Sequence, residues 1–144
     1  MSDDISLLEK AICIAVEAHR GQNDRYGAPY ILHPLRVMAR VETATMKTVA
    51  ILHDVVEDTD RTLEDLKREG FSEEIVMAVD CLTKRKGEPY QDLINRAAAN
   101  PLARRVKLAD LEDNMDLRRF TSVSAEDEQR LAKYLAAWNQ LREG

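Results

Sequence analysis

The chain has 144 residues, 44% of them hydrophobic and 33% charged, with only five glycines and four prolines. This composition predicts a helix-rich, compact globular protein, which we expect to form one domain over residues 1–144. The formal net charge of −5 argues against partners that require a basic surface, namely nucleic acid and acidic membranes.

We expect neither export nor membrane insertion. No apolar run is long enough to cross a bilayer, and the N-terminal sequence Met-Ser-Asp-Asp is too acidic for a secretory signal. Cys13 and Cys81 lie in helical patterns without metal-ligand spacing, so we expect two buried free thiols. Reduced thiols fit a reducing compartment, which predicts a cytoplasmic protein.

The first predicted helices flank an irregular loop. Apolar residues at helical spacing predict a helix over residues 4–20 that ends at Gly21. Residues 22–30 follow as a loop, and loops on a rigid scaffold commonly carry substrate contacts. Pro34 predicts the first turn of a second helix over residues 35–41. His33 then lies at the helix start, as either a plain entry residue or a ligand.

The stretch 48–59 is predicted as one continuous third helix. The apolar side chains that share a helical face are Val49, Leu52, Val55 and Val56. The polar side chains of the same run, spaced three or four residues apart, are His53, Asp54, Glu57 and Asp58. One imidazole and three carboxylates on one stripe supply metal ligands and proton acceptors. The alternative interpretation is a solvated polar face.

Cap and breaker residues divide the remaining chain into further helices. The predicted ranges are residues 62–70, 72–82, 90–100 and 102–118, followed by a C-terminal helix after Ser124. The basic loop 83–89 is either solvated surface or a mouth that attracts anions. Asp110 is either a buried ligand or a solvated position, with Asn114 one turn further along the same side. We interpret the C-terminal helix only as a packing element.

The candidate metal ligands form a mixed nitrogen and oxygen set: His33, His53, Asp54 and Asp110. Such a set suits a borderline or hard divalent ion such as Mn²⁺, Fe²⁺ or Zn²⁺. One geometric constraint applies to the adjacent pair. On a continuous helix, His53 and Asp54 reach one ion only if the aspartate side chain bends across its neighbour.

The order of the motifs resembles a known family. The motifs are His33-Pro34, His53-Asp54-Val-Val-Glu-Asp58 and Lys107-Leu-Ala-Asp110 with Asn114-Met115. Together they resemble the HD-domain phosphohydrolases, and most closely the hydrolase domain of the RelA/SpoT alarmone enzymes and their small stand-alone relatives. Further matching segments are His19-Arg-Gly-Gln22, Gly27-Ala-Pro-Tyr30, Leu82-Thr-Lys84 and Tyr90.

The resemblance implies an all-α fold, a single compact HD-domain helical bundle with the metal site between helices. It implies one Mn²⁺ ion and release of the 3′-pyrophosphate from ppGpp-like guanine nucleotides. The implied metal ligands are His33, His53, Asp54 and Asp110. Glu57 and Asp58 match the family's acidic pair, which orients and deprotonates the attacking water. We expect Arg25, Lys84 and Lys107 near the pyrophosphate, and Asn114 near the sugar or phosphates.

Three positions depart from the family pattern. The family shows a basic pair in the first loop, whose arginine packs on the guanine; here Asp24 takes the place of that arginine and Arg25 remains. Asp113 and Leu117 replace a histidine and a threonine after the ligand aspartate. We therefore expect the metal and water chemistry to be intact and the base specificity to differ.

Two hypotheses of function follow. The chain is a metal-dependent phosphohydrolase for ppGpp, or for another nucleotide or phosphoester, or it is a non-catalytic nucleotide-sensing module. The second predicts a broken ligand set or missing acids, and the sequence shows neither, which favours an enzyme. The expected partner is a small nucleotide, with no nucleic acid and no membrane. Because the chain ends at Gly144, we expect no synthetase domain. The sequence does not predict an oligomeric state.

Overall fold

The computed structural model describes residues 3–143, with side chains from residue 6 onward. Over this range the chain forms helices and no β strand, which confirms the all-α fold class. The α helices are α1 (Asp3–Ala18), α2 (Leu32–Ala39), α3 (Ala44–Leu52), α4 (Val55–Asp58), α5 (Leu63–Arg68), α6 (Glu73–Leu82), α7 (Tyr90–Ala98), α8 (Pro101–Asn114) and α9 (Ala125–Arg142). A 3-10 turn lies at Leu117–Arg119.

The stretch predicted as one continuous helix over residues 48–59 is two helices, so that prediction was wrong. α3 ends at Leu52, and the chain leaves helical geometry at Asp54 (φ −105°, ψ 0°) before α4 begins at Val55. The apolar periodicity continues across the break because Leu52 and Val55 are both fully buried. Hydrophobic spacing therefore did not reveal the interruption.

Local capping explains most of the other helix boundaries. The Ser72 side chain accepts the Ile75 N–H, and Ser124 forms a capping box with Asp127. α8 ends at Asn114, before the predicted residue 118, and the Asp116 side chain accepts the Arg118 N–H to begin the 3-10 turn. α2 begins earlier than predicted, so that His33 and Pro34 both lie inside its first turn.

Two groups of buried apolar side chains hold the helices together. The larger group joins α1, α2, α3, α6 and α8, and includes Ile51, Val79 and Val106 at 0% exposure. The smaller group joins α7, α8 and α9 through Ile94, Leu111, Ala137 and Leu141. α8 contributes to both groups, which places its polar residues between the two parts of the core.

The cysteine and membrane predictions have separate outcomes. Cys13 and Cys81 are both free, as predicted, but Cys13 is exposed and Cys81 is half-buried, so the expectation of buried thiols was wrong. Cys81 packs against the edge of the larger core cluster, whereas Cys13 faces solvent. Within the described residues, no helix combines the length and the apolar character needed to span a membrane.

Candidate active site

The four predicted metal ligands converge at the junction of α2, α3 and α8. His33 Nε2 lies 2.9 Å from Asp110 Oδ1 and 3.9 Å from Asp54 Oδ2. His53 Nε2 lies 3.0 Å from Asp54 Oδ2 and 3.3 Å from Asp110 Oδ1. Two imidazole nitrogens and two carboxylates thus surround one point, although they come from three separate segments of the chain.

The break between α3 and α4 is what allows adjacent residues to face the same point. On a continuous helix, consecutive side chains diverge by about 100°. Because Asp54 leaves helical geometry, its carboxylate and the His53 imidazole come within 3.0 Å of each other. The interruption of the helix therefore removes the geometric constraint on the His53-Asp54 pair.

Each imidazole is oriented by its second nitrogen. His33 Nδ1 lies 2.6 Å from Oδ2 of Asp113, and His53 Nδ1 lies 2.6 Å from the backbone oxygen of Ala50. The Ala50 carbonyl can only accept, so His53 Nδ1 carries a proton and donates it. In the neutral form of His53, Nε2 then presents a lone pair to the carboxylates.

This arrangement requires a cation among the carboxylates. Within the described residues, His53 Nε2 is a buried nitrogen without a hydrogen-bond partner, even though Asp54 and Asp110 oxygens lie nearby. A lone pair facing carboxylates is repulsive unless a proton or a metal ion lies between them. Burial disfavours a charged His53, but the Asp54 charge and Asp110 outweigh it and raise its pKa well above the ordinary value.

The donor set fits a divalent metal ion. His33, His53 and Asp54 each offer a ligand atom, and these atoms all lie within 4.8 Å of one another. Asp110 adds a fourth oxygen beside both imidazoles. Mixed imidazole and carboxylate donors suit first-row divalent ions. An ion at this point would take the place of the proton that the two histidines otherwise need.

The predicted acidic pair lies on α4, directly after the ligand pair. Glu57 and Asp58 are both exposed in the cleft. Glu57 Oε1 accepts the backbone N–H of Lys84 at 2.7 Å. Partial withdrawal from water and the charges of Asp54 and Glu57 raise the pKa of Asp58 to about 6. The position of the Asp58 carboxylate in the cleft, beside the predicted ligand set, makes it a candidate proton acceptor.

The four predicted substrate-binding side chains lie in different surroundings. Lys107 Nζ donates to Asp110 Oδ2 at 2.9 Å, and Asn114 Nδ2 donates to Asp110 Oδ1 at 3.3 Å. These two side chains therefore also support a ligand. Lys84 and Arg25 are exposed and line the same cleft. The cleft has a volume of about 710 Å³, which suits a nucleotide-sized ligand.

Helix α9 also contributes to the cleft, which its sequence did not indicate. Arg130, Lys133 and Tyr134 line the cleft, together with Asp127, which forms an ion pair with Arg130. Lys133 Nζ lies 4.4 Å from the ring centre of Tyr90, which is a cation–π contact. Burial lowers the pKa of Lys133, and the charges of neighbouring cations lower it further. The interpretation of α9 as only a packing element was therefore wrong. The four-residue spacing of Arg130 and Tyr134 places them on one face of α9. The spacing does not show whether that face lies against the core, the cleft or solvent.

Asp24, which lines the cleft, and Asp113 both make contacts that the sequence did not predict. The Asp24 carboxylate accepts the backbone N–H groups of Tyr26 and Ala28 at 2.9 and 3.0 Å and lies 3.5 Å from Arg119 Nη2. Asp24 is thus a turn-forming residue in an ion pair. Asp113 contacts His33, one of the predicted metal ligands, so it lies beside the candidate metal centre and not among base contacts as expected.

No family model matches the chain, but individual relatives do. A probable GTP pyrophosphokinase of Mycobacterium leprae is 35% identical over 130 residues, covering 81% of this chain and 16% of that protein. A guanosine-3′,5′-bis(diphosphate) 3′-pyrophosphohydrolase of Aquifex aeolicus is 36% identical over 120 residues, covering 75% of this chain and 17% of that protein. The chain thus spans about a sixth of the length of these curated relatives.

A solved structure matches over most of both chains. It is a metazoan orthologue of SpoT that hydrolyses ppGpp, with a TM-score of 0.78 and 28% sequence identity. The match covers 95% of this chain and 86% of that one. The similarity therefore extends over the whole helical arrangement that positions the candidate site.

Proposed function

The chain belongs to the SpoT/RelA-like family, and on that premise we propose that it is a metal-dependent phosphohydrolase that releases the 3′-pyrophosphate of ppGpp-type nucleotides. The observation that carries the proposal is the convergence of His33, His53, Asp54 and Asp110 directly beside two further acids, in a cleft that basic side chains also line, namely Arg25, Lys84, Lys107, Arg119, Arg130 and Lys133. Phosphoester hydrolysis requires these three parts together: a metal site, a proton acceptor and positive charge for the phosphates.

The relatives carry two kinds of name, and the structural match favours hydrolysis. Curated relatives of both names are matched over similarly small shares of their length, the pyrophosphokinases over 15–19% and the pyrophosphohydrolases over 16–20%. The metazoan SpoT orthologue that hydrolyses ppGpp is matched over 86% of its chain. The candidate site also holds the acids that water activation needs. We therefore assign this chain to the hydrolytic activity.

We propose Mn²⁺ as the metal, held by His33, His53, Asp54 and Asp110. A bound divalent ion supplies Lewis acidity at the phosphoryl group and a water of lowered pKa. Asp58, with Glu57 beside it, accepts the proton of the attacking water. Lys107 is almost enclosed and keeps its charge through Asp110, so it stabilises negative charge at the inner end of the cleft.

The remaining cleft residues would bind the rest of the nucleotide. Arg25 and Lys84 provide exposed charges for phosphate oxygens. Asn114 lines the cleft beside Asp110, where its amide would contact the sugar or a phosphate. We propose that residues 1–144 act as one HD-type domain in the cytoplasm, on a small nucleotide and without a nucleic-acid partner.

The test is pyrophosphate release by Mn²⁺-loaded protein with ppGpp, pppGpp, other phosphorylated nucleotides and a simple phosphodiester. We expect turnover of a ppGpp-type nucleotide that a chelator abolishes. Glu57→Gln and Asp58→Asn remove proton acceptors at nearly constant shape, so turnover should fall about a hundredfold while the metal remains bound.

Asp60→Asn is the matched control, since Asp60 is an exposed acid just beyond α4 and does not line the cleft. Its turnover should stay near that of the wild type. Nucleotide binding without any turnover in the metal-loaded protein would contradict the proposal and identify a sensing module instead.

A further inference from the structure

We propose that His19, Gln22 and Tyr30 are positioning residues that hold both ends of α4, the single turn of helix between the ligand Asp54 and the acid Asp58. The inference deepens the proposed function and rests on it. It assigns a task to the segment His19-Arg-Gly-Gln22, which the metal site and the acidic pair leave without a role.

α4 needs support from outside because it is so short. It contains only Val55–Asp58, and one backbone hydrogen bond, from the Asp58 N–H to the Asp54 oxygen at 3.0 Å, spans it. The chain is extended at Thr59 directly afterwards. An isolated turn of this length is not stable by itself. The positions of Asp54 and Asp58 therefore depend on contacts with other segments.

Gln22 holds the C-terminal end of α4. In a longer helix the Asp58 carbonyl would accept the N–H of residue 62, but the Thr62 N–H donates to the Asp65 side chain of the next helix. Gln22 Nε2 donates to the Asp58 oxygen instead, at 3.1 Å. The side-chain amide thus replaces the missing helical partner and fixes the backbone of Asp58.

His19 fixes the orientation of the Gln22 amide. Because the Gln22 nitrogen donates to Asp58, its oxygen is the atom that faces His19 Nδ1, at 2.9 Å. Nδ1 must therefore be the protonated nitrogen of His19. The ring is 2% exposed, and its Nε2 has no hydrogen-bond partner within the described residues. Among the described residues, this buried imidazole therefore makes its polar contact through Nδ1.

Tyr30 holds the N-terminal end of α4. Its hydroxyl donates to Oδ2 of Asp54, the oxygen that lies 3.0 Å from His53 Nε2. The Tyr30 ring also contacts the His19 ring, with 5.0 Å between the ring centres. The backbone N–H of Tyr30 donates to the backbone oxygen of Gln22 at 2.8 Å, so the two contacts with α4 belong to one folded loop.

The two ends should respond differently to mutation. Loss of the Tyr30 hydroxyl frees a ligand carboxylate, so Tyr30→Phe should weaken Mn²⁺ binding about tenfold or more. Loss of the Gln22 amide displaces the acid that takes the proton, so Gln22→Met should lower kcat about tenfold to a hundredfold. KM and Mn²⁺ stoichiometry should change little in Gln22→Met, because the metal ligands keep their contacts.

His19 allows a test by conservative rescue. An asparagine amide can place its nitrogen where His19 Nδ1 lies, whereas leucine offers no donor. His19→Asn should therefore keep most of the wild-type kcat, and His19→Leu should show the same loss as Gln22→Met. Arg20→Ala is the control in the same segment, since Arg20 is exposed and pairs with Glu17 on the surface.

A second readout does not depend on turnover. Hydrogen exchange at residues 55–59 should become faster in Gln22→Met and His19→Leu and stay unchanged in His19→Asn. If the wild type hydrolyses no nucleotide, the proposed function fails. The exchange pattern and the Mn²⁺ affinities still test whether His19, Gln22 and Tyr30 hold α4. Equal kcat and exchange in His19→Asn and His19→Leu would overturn the inference, as would a Gln22→Met variant with wild-type kcat.

Discussion

Nδ1 of His33 lies 2.6 Å from Oδ2 of Asp113, a carboxylate that is 0% exposed. The same carboxylate accepts from Arg36 Nε at 2.8 Å and from Arg119 Nη1 at 3.1 Å. Burial would raise the pKa of Asp113, but these hydrogen bonds and charges lower it to about 2. A charged carboxylate therefore orients the imidazole of a proposed ligand and increases its basicity.

The first prediction concerns Asp113 and the metal. Asp113→Ala leaves His33 Nδ1 without its acceptor, so Mn²⁺ affinity should fall about tenfold to a hundredfold. Asp113→Asn retains an acceptor oxygen and should lose less. Affinity is measured by competition with a chromogenic chelator. Asp116→Asn is the control, because Asp116 pairs with Arg118 and does not contact His33. An Asp113→Ala variant with wild-type affinity would remove this residue from the metal site.

The second prediction concerns acid stability far from the metal ligands. Glu88 accepts from Arg96 Nη2 at 2.7 Å, at the end of the basic loop. The hydrogen bonds from Arg96 and from the Arg85 backbone lower the pKa of Glu88 from an ordinary 4.5 to about 2. Because the folded pKa lies below the unfolded one, the contact stabilises the fold above about pH 4.5 and is lost progressively as the pH falls towards 2.

Glu88→Gln should therefore lower the free energy of unfolding at about pH 6 and have a smaller effect at about pH 3. Urea unfolding of wild type and variant at both values measures the difference. Glu74→Gln, at an exposed glutamate of α6, serves as the control. An equal loss at the two pH values would show that the Glu88 contribution does not arise from its charge.

The amino-acid sequence predicts a helix well where a single stripe of apolar residues at helical spacing packs against the core. It failed at residues 48–59, because Leu52 and Val55 are buried on both sides of the break and preserve the apolar spacing. At the interruption, the Asp54 carboxylate accepts from the hydroxyl of Tyr30, which lies 24 residues earlier in the chain. Local patterns do not encode such contacts.

The candidate site shows the same division. His33, His53, Asp54 and Asp110 could be grouped from motif order, because polar residues in apolar runs are conspicuous. The cationic face of α9 could not, since Arg130 and Lys133 resemble ordinary surface charges until the cleft opposite them is known. The turn contacts of Asp24 could not be predicted either. Its role depends on backbone groups and on Arg119, which lies far away in the sequence.

The last prediction concerns base selection and follows from the position of Asp24. The family resemblance would place a guanidinium stacking surface at this residue, and the chain lacks it. Stacking and cation–π contacts with a base are worth about 1–3 kcal/mol, or roughly tenfold to a hundredfold in binding. We therefore expect the wild type to hydrolyse ppGpp and its adenine counterpart with kcat/KM values within about tenfold of each other.

Introducing arginine at this position should not restore guanine preference. The Asp24 carboxylate forms the turn through Tyr26 and Ala28 and faces Arg119. Asp24→Arg would remove those acceptors and bring two guanidinium groups together, so KM should rise for both nucleotides without a change in their ratio. Asp24→Asn keeps an acceptor for the turn and should remain near wild type. The measurement is kcat/KM for both nucleotides on all three proteins. A strong guanine preference in the wild type, or a ratio that shifts towards guanine in Asp24→Arg, would show that the loop reads the base as the family's does.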